Sequence, residues 1–203
     1  MSSSPLWDFS GLCLDTARLT LRPLAAGDED ALFAIHADPE FMRYWSSPPW
    51  TSLDQAVQLI AKDAREMAVG LHFRLGIFER QAGRLIGTCS LFKIDAQCRR
   101  AEIGYGVARE FWRQGYMSEA VSVVLGYAFG ELNLNRLEAD IDPRNIASGR
   151  SLEKLGFVRE GFLRERWIVA GEVSDSALYG LLGREWSARS RNADIDQHNA
   201  SPL

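Results

Sequence analysis

Two stretches of the chain carry residue types at spacings that suit chemistry. The first is Trp112-Arg113-Gln114-Gly115-Tyr116-Met117-Ser118, where a glycine stands between a strand pattern and the start of a helix pattern. Free N–H groups at a helix N-terminus converge on an anion, and glycine lets the main chain approach it closely. The same turn serves equally as a plain strand-to-helix connection. The second stretch is Asn145-Ile146-Ala147-Ser148-Gly149-Arg150-Ser151-Leu152-Glu153-Lys154-Leu155-Gly156-Phe157. Here Asn145 suits an N-cap, Gly156 a helix stop, and Phe157 the residue that packs back after it.

Other phosphate and nucleophile motifs are missing. There is no GxxxxGK[ST], which disfavours a P-loop hydrolase. Gly104-x-Gly106 runs on to Arg109 where a Rossmann turn needs a third glycine, and it lies inside a strand pattern. His36 and His72 have no CxxC, HxxxH or GxSxG partner, so a metal site or serine triad is disfavoured. Cys89 and Cys98 read as core or strand residues rather than nucleophiles.

The elements that must position these stretches follow from periodicity. Residues 18–24 alternate as a first strand. Asp28, Glu29 and Asp30 open a helix to about residue 37, at its positive dipole end. Phe41, Met42, Arg43, Tyr44, Trp45 and Trp50 form an aromatic loop closed by Pro48 and Pro49. Thr51 and Asp54 have capping-box spacing before an amphipathic helix marked by Leu53, Ala56, Val57, Ile60, Ala64 and Met67. Residues 72–78, 84–94 and 99–107 read as an antiparallel meander. The strongest helix carries Met117, Ala120, Val121, Val124, Leu125, Ala128 and Phe129 at i, i+3, i+4 spacing. A strand at 136–141, the helix from Asn145 and strands at 166–169 and 177–182 complete the order β-α-α-β-β-β-α-β-α-β-β. This predicts an α+β domain whose mixed, mainly antiparallel central sheet is flanked by helices on both faces.

With Glu160-Gly161-Phe162-Leu163-Arg164 beyond them, the two stretches together resemble the GNAT acetyltransferase superfamily over about residues 17–186. The branch it most resembles is the ribosomal-protein alanine N-acetyltransferases of Rim type. The resemblance implies that Trp112, Arg113, Gln114, Gly115, Tyr116 and Met117 form the pyrophosphate loop of acetyl-CoA, with main-chain N–H groups through Ser118 as donors. Arg113 stands where the branch usually has glycine, and Met117 where it has a small residue. An arginine there can add a charge-assisted phosphate contact or simply be solvated.

The strand through Tyr105, Gly106 and Val107 corresponds to the one whose main chain holds the pantetheine arm and supplies an oxyanion donor. Asn145 matches the family's CoA-contacting asparagine, a role compatible with an N-cap. Seven residues on, many GNAT enzymes carry a tyrosine that protonates the leaving thiolate; here that residue is Leu152. Ser148, one helical turn earlier, is the favoured substitute acid as well as a cofactor contact, with a plain helix-surface serine as the alternative. Glu102 matches an acidic position that would take the amine's proton, with a plain salt-bridged carboxylate as the alternative. The aromatic loop falls on the acceptor-side wall.

The implied reaction is direct transfer from acetyl-CoA to a primary amine, without metal or acyl-enzyme. A protein N-terminal α-amine is the favoured acceptor, a polyamine or aminoglycoside the second. A non-catalytic acyl-CoA sensor is the rival that Leu152 raises.

With 203 residues, 46% hydrophobic and 25% charged, the chain reads as one globular domain rather than a disordered or fibrous one. Residues 1–16 read as a frayed extension, 17–186 as the domain and 187–203 as a polar tail. A net charge of −4 disfavours nucleic acid. The apolar stretch 120–130 is too short to span a bilayer. Three separated cysteines and no basic N-terminal leader fit a cytoplasmic protein without disulfides. A homodimer is left open.

Overall fold

The computed structural model describes residues 7–189. It contains β1 (Leu14–Asp15), β2 (Leu19–Pro23), α1 (Glu29–Ala37), the short α2 (Pro39–Met42), α3 (Asp54–Ala68), β3 (Phe73–Glu79), β4 (Arg84–Asp95) and β5 (Arg100–Val107). After a 3-10 turn at Arg109–Phe111 follow α4 (Tyr116–Gly130), β6 (Arg136–Ile141), α5 (Ile146–Leu155), β7 (Val158–Val169) and β8 (Glu172–Leu182). The strands form one sheet in the order β1-β2-β3-β4-β5-β6-β8-β7. Every neighbouring pair is antiparallel except β5 and β6. This is the expected α+β architecture.

The sheet's alternation assigns its faces. Leu19, Leu21, Leu75, Ile77, Ile103, Leu137 and Ala139 pack into one core with Val121, Val124 and Leu125 of α4 and Leu152 of α5. On the opposite face Leu24, Phe78 and Leu85 pack against Leu32, Ile35, Phe41, Ala56 and Ile60 of α1–α3. The second helical layer covers the N-terminal half of the sheet. Beyond it, that face of β6, β8 and β7 carries a row of charged side chains.

Local signals explain most boundaries. The Asn145 side chain accepts from the Ser148 N–H at 3.1 Å, capping α5. At the other end Gly156 takes φ +101, and the Gly156 and Phe157 N–H groups return to the Glu153 and Leu152 carbonyls. Ahead of α3 the cap differs from the expected Thr51–Asp54 box. Ser52 Oγ accepts from the Asp54 N–H, and Gln55 Oε1 accepts from the N–H groups of Thr51 and Ser52. The box is shifted by one residue because glutamine, with its longer reach, sits three positions after the serine.

Two expectations fail. Residues 7–16 are no frayed extension: Phe9 is fully buried, meets Phe73 edge-on at 5.2 Å, and donates its N–H to the Met67 carbonyl. Residues 1–6 and 190–203, which make up most of the other expected terminal segments, lie outside the described residues. The last two strands are also far longer than 166–169 and 177–182. β7 is an edge strand exposed on both faces along almost its whole length, so its sequence shows no apolar alternation to read.

Candidate active site

The site is organised by a failure of pairing. β5 and β6 run parallel only over Arg100–Glu102 and Arg136–Glu138. Past that point the strands part, and Ile103–Val107 keeps its β4 partner while its other edge is unpaired. A wedge therefore opens in mid-sheet, lined by β5 on one side and by Ala139–Ile141 on the other. Main-chain groups at such an edge can take an extended ligand as a further strand.

At one end of β5 the chain turns into α4. Gly115 is the N-cap at φ +80, and no side chain caps the helix. Its first main-chain bond runs from the Glu119 N–H to the Gly115 carbonyl, which leaves the Tyr116, Met117 and Ser118 N–H groups at the helix mouth for a ligand. The neighbouring side chains hold the loop. Trp112 donates its indole N–H to the Val107 carbonyl at 2.7 Å, Gln114 donates to the Glu110 carbonyl at 2.8 Å, and the Tyr116 hydroxyl donates to Glu79 at 3.0 Å. Arg113, at φ +61, is exposed and makes no hydrogen bond or ion pair with any described residue. These features fit a pyrophosphate: free donors at a dipole's positive end beside an unengaged guanidinium.

Sequence reasoning missed Arg18. It donates to the Gln114 carbonyl at 3.0 Å, pairs with Glu119 at 2.6 Å, and covers the Tyr116 ring at 4.4 Å. With Thr16 also donating to Glu119 at 2.6 Å, it fastens the loop to the start of β2. Nothing in the local pattern connects residues a hundred positions apart.

Across the wedge, Tyr105 of β5 and Ser148 of α5 share a hydrogen bond of 3.2 Å between their hydroxyls. Burial pushes the Tyr105 phenol upward, which keeps it protonated. The pair can therefore present a proton within the gap. Asn145 spends its side-chain oxygen on the α5 cap. Leu152 is fully buried against the core, so it does not look into the wedge, and a tyrosine there would have to displace packed side chains.

The opposite face of the wedge belongs to the other helical layer. Gly106 lies beneath Phe41 and Trp45: a Cβ at this position would come within 2.9 Å of both rings. Those rings, with Trp50, surround His36, which stacks on Trp50 at 4.3 Å and donates Nδ1–H to the Leu32 carbonyl. Burial lowers His36 to about 4, so it is a neutral core histidine. Phe41, Trp45 and Trp50 of the aromatic segment thus pack around His36, and α2 gives the segment a helical turn that the loop reading missed.

Glu102 faces the same side, and both its oxygens accept from Lys93 at 2.8 and 3.0 Å. The structure places it in a salt bridge, the alternative open at the sequence level. Its neighbours are also matched: Glu138 binds Arg100 and Arg136, Glu160 binds Arg136, and Asp142 binds Arg144.

The remaining candidates fall outside this site. His72 contacts the Asp63 and Glu66 carboxylates, each at 2.9 Å, and Arg74 donates to Asp63, which ties α3 to β3. Burial pushes the Cys89 thiol up to about 12, far from nucleophilic. Cys98 is exposed in the turn after β4 rather than in a strand. Among the described residues no cluster of three His, Cys, Asp or Glu side chains suits a metal ion, and no helix is long and apolar enough to cross a membrane.

A sheet split at a parallel seam, with a glycine turn and helix mouth beside the split, can take a ligand that has an extended arm and an anionic phosphate group. Residues 18–158 match the acetyltransferase (GNAT) domain, and the chain belongs to that family as an acetyl-CoA-dependent N-acetyltransferase. It is similar to the uncharacterised N-acetyltransferase p20 of Bacillus licheniformis, 38% identical over 174 residues that cover 86% of this chain and 98% of that one. The solved spermidine N-acetyltransferase from Vibrio cholerae, in complex with CoA and spermine, superimposes with a TM-score of 0.75 at 27% identity, over 84% and 99% of the two chains. The ribosomal protein uS5-alanine N-acetyltransferase of Escherichia coli is 25% identical over 119 residues, 58% of this chain and 61% of that one.

Proposed function

We propose that this chain acetylates the α-amine of a protein or peptide N-terminus, in the manner of the Rim-type branch. The observation that carries this reading is the charge balance of the acceptor face. A polyamine brings several positive charges and calls for a surplus of carboxylates. Here Glu102, Glu138, Glu160 and Asp142 are each already engaged by Lys93, Arg100, Arg136 or Arg144, although Arg100 and Arg144 also pair with Asp95 and Glu172. Such a face suits a single ammonium followed by neutral amides. The second reading, a polyamine acceptor, draws on the likeness to the spermidine enzyme over nearly the whole of both chains.

In the proposed reaction acetyl-CoA supplies the activated acyl group. Arg113 and the N–H groups of Gly115, Tyr116, Met117 and Ser118 hold its pyrophosphate, and the free edge of β5 at Tyr105–Val107 holds its arm. A main-chain N–H of β5 can polarise the thioester carbonyl. Ser148, backed by Tyr105, delivers a proton to the departing thiolate, the part Leu152 cannot play. Glu102 assists deprotonation of the amine only through water or after Lys93 moves aside. A sensor without turnover is the rival outcome.

The test is free-CoA release with acetyl-CoA and either a hexapeptide bearing N-terminal alanine or spermidine. Turnover of the peptide with the mass gain at its α-amine supports the proposal. Turnover of spermidine alone overturns the peptide reading, and tight cofactor binding with neither substrate consumed supports the sensor.

A further inference from the structure

One carboxylate beside the wedge stands apart because it has a buried oxygen with no donor among the described residues. Asp140 stands on β6 two residues past the last β5–β6 register pair, where the strands have parted. Leu137 and Ala139 point into the α4-side core. Alternation therefore turns Asp140, with Glu138, toward the acceptor face. Glu102, Glu138, Glu160 and Asp142 have both oxygens engaged by cationic side chains. Asp140 has one engaged: Oδ2 accepts from Arg166 Nε at 3.3 Å. Its Oδ1 is buried and accepts from no described residue.

A buried carboxylate oxygen without a donor is costly, so such groups mark places where a partner is supplied from elsewhere. An ordered water can fill that role, and so can a cationic donor that reaches the wedge from the α1–α3 side and is small enough to enter between the diverging strands. A primary ammonium is such a donor. We infer that Asp140 is the anchor for the acceptor's ammonium group, holding it through Oδ1 beside the reacting carbon. The inference rests on the amine-acceptor reading above and adds the residue that selects the charge. Arg166, 43% exposed and on the exposed edge strand β7, is a competitor for the same carboxylate.

The competition gives a test that a merely structural ion pair would fail. Binding to the CoA-loaded protein is measured by calorimetry for an Ala-initiated hexapeptide, its N-acetylated form and spermidine. Asp140→Asn should weaken the free-amine peptide about tenfold or more, the scale of one charge-assisted bond, while acetyl-CoA affinity is unchanged. Asp140→Glu should recover part of the loss. Arg166→Gln should tighten the free-amine peptide by a few-fold, because it releases the carboxylate. The N-acetylated peptide should respond to none of these changes.

Equal binding by wild type and Asp140→Asn overturns the inference, as does wild-type protein that binds neither free amine. So does an Arg166→Gln protein that stays folded and binds more weakly. If spermidine binds in an Asp140-dependent way and the peptide does not bind, the anchor stands and the peptide reading falls.

Discussion

The two sides of the wedge are built from different materials. On the proposed cofactor side, α4 presents main-chain N–H groups, while Trp112, Gln114, Tyr116 and Arg18 are occupied in holding the loop. On the proposed acceptor side the groups on offer are side chains: Glu102 of β5, Asp140 of β6, Phe41 of α2 and Trp45 of the loop after it. Main-chain donors are the same for any residue type, so Arg113 and Met117 can replace the family's small residues without loss of the donor array. Side-chain sites have no such tolerance. The cofactor side should therefore fail through geometry and the acceptor side through charge and protonation.

The largest expected effect lies at the junction of the two sides. Ser148→Ala should lower kcat by about 10²–10⁴-fold, the range of general acid assistance, with acetyl-CoA affinity nearly intact. Loss of affinity with kcat preserved would move Ser148 wholly to the cofactor side. Gly115→Asp comes next. An aspartate at φ +80 is strained, and its charge opposes a bound phosphate, so calorimetry should show acetyl-CoA binding weakened roughly a hundredfold. Unchanged affinity in the folded variant would sink the loop assignment.

A third test separates the sides by pH. Folded His36 has its pKa lowered from 6.5 to about 4 by burial, so the unfolded chain takes up the proton first as pH falls. Its contribution is complete above 6.5 and is lost between 6.5 and 4, up to about 3 kcal/mol in total. His36→Phe keeps the ring stack and should flatten denaturant-measured stability over that window. An identical pH slope in the variant would remove His36 as its source. The smallest effect belongs to Glu102→Gln. Because Lys93 already engages the carboxylate, kcat should fall by no more than about tenfold, and a loss of a thousandfold would show that Glu102 is the direct base.

The same division of materials decides what could be read from the chain. The residues proposed for the cofactor fall mostly in two short runs, one around Gly115 and Ser118 and one from Asn145, each readable as a motif, and the strand at 136–141 and the Gly156 stop appear where the periodicity places them. Arg18 and Glu119 lie a hundred residues apart and Asp140 and Arg166 twenty-six. No local pattern joins them, and Asp140 in sequence is one more acidic residue in a strand. Phe9 was hidden for a related reason: with Trp7, Leu12 and Leu14 it packs on the core from a largely irregular segment that has no helix or strand period to read. β7, wetted on both faces, offers no alternation at all.

The three-pair seam between β5 and β6 has a consequence for how long the protein lasts. A ligand that binds the folded chain and not the unfolded one adds to its stability, by about 2.7 kcal/mol at a hundredfold excess over its dissociation constant. At the wedge that ligand closes an open edge between two halves of a sheet, so its protection should concentrate on Ile103–Val107 and Ala139–Ile141, where amide exchange can follow it. Degradation in cells samples opened forms. Occupancy of the wedge by CoA or acetyl-CoA should therefore slow proteolysis of the folded chain.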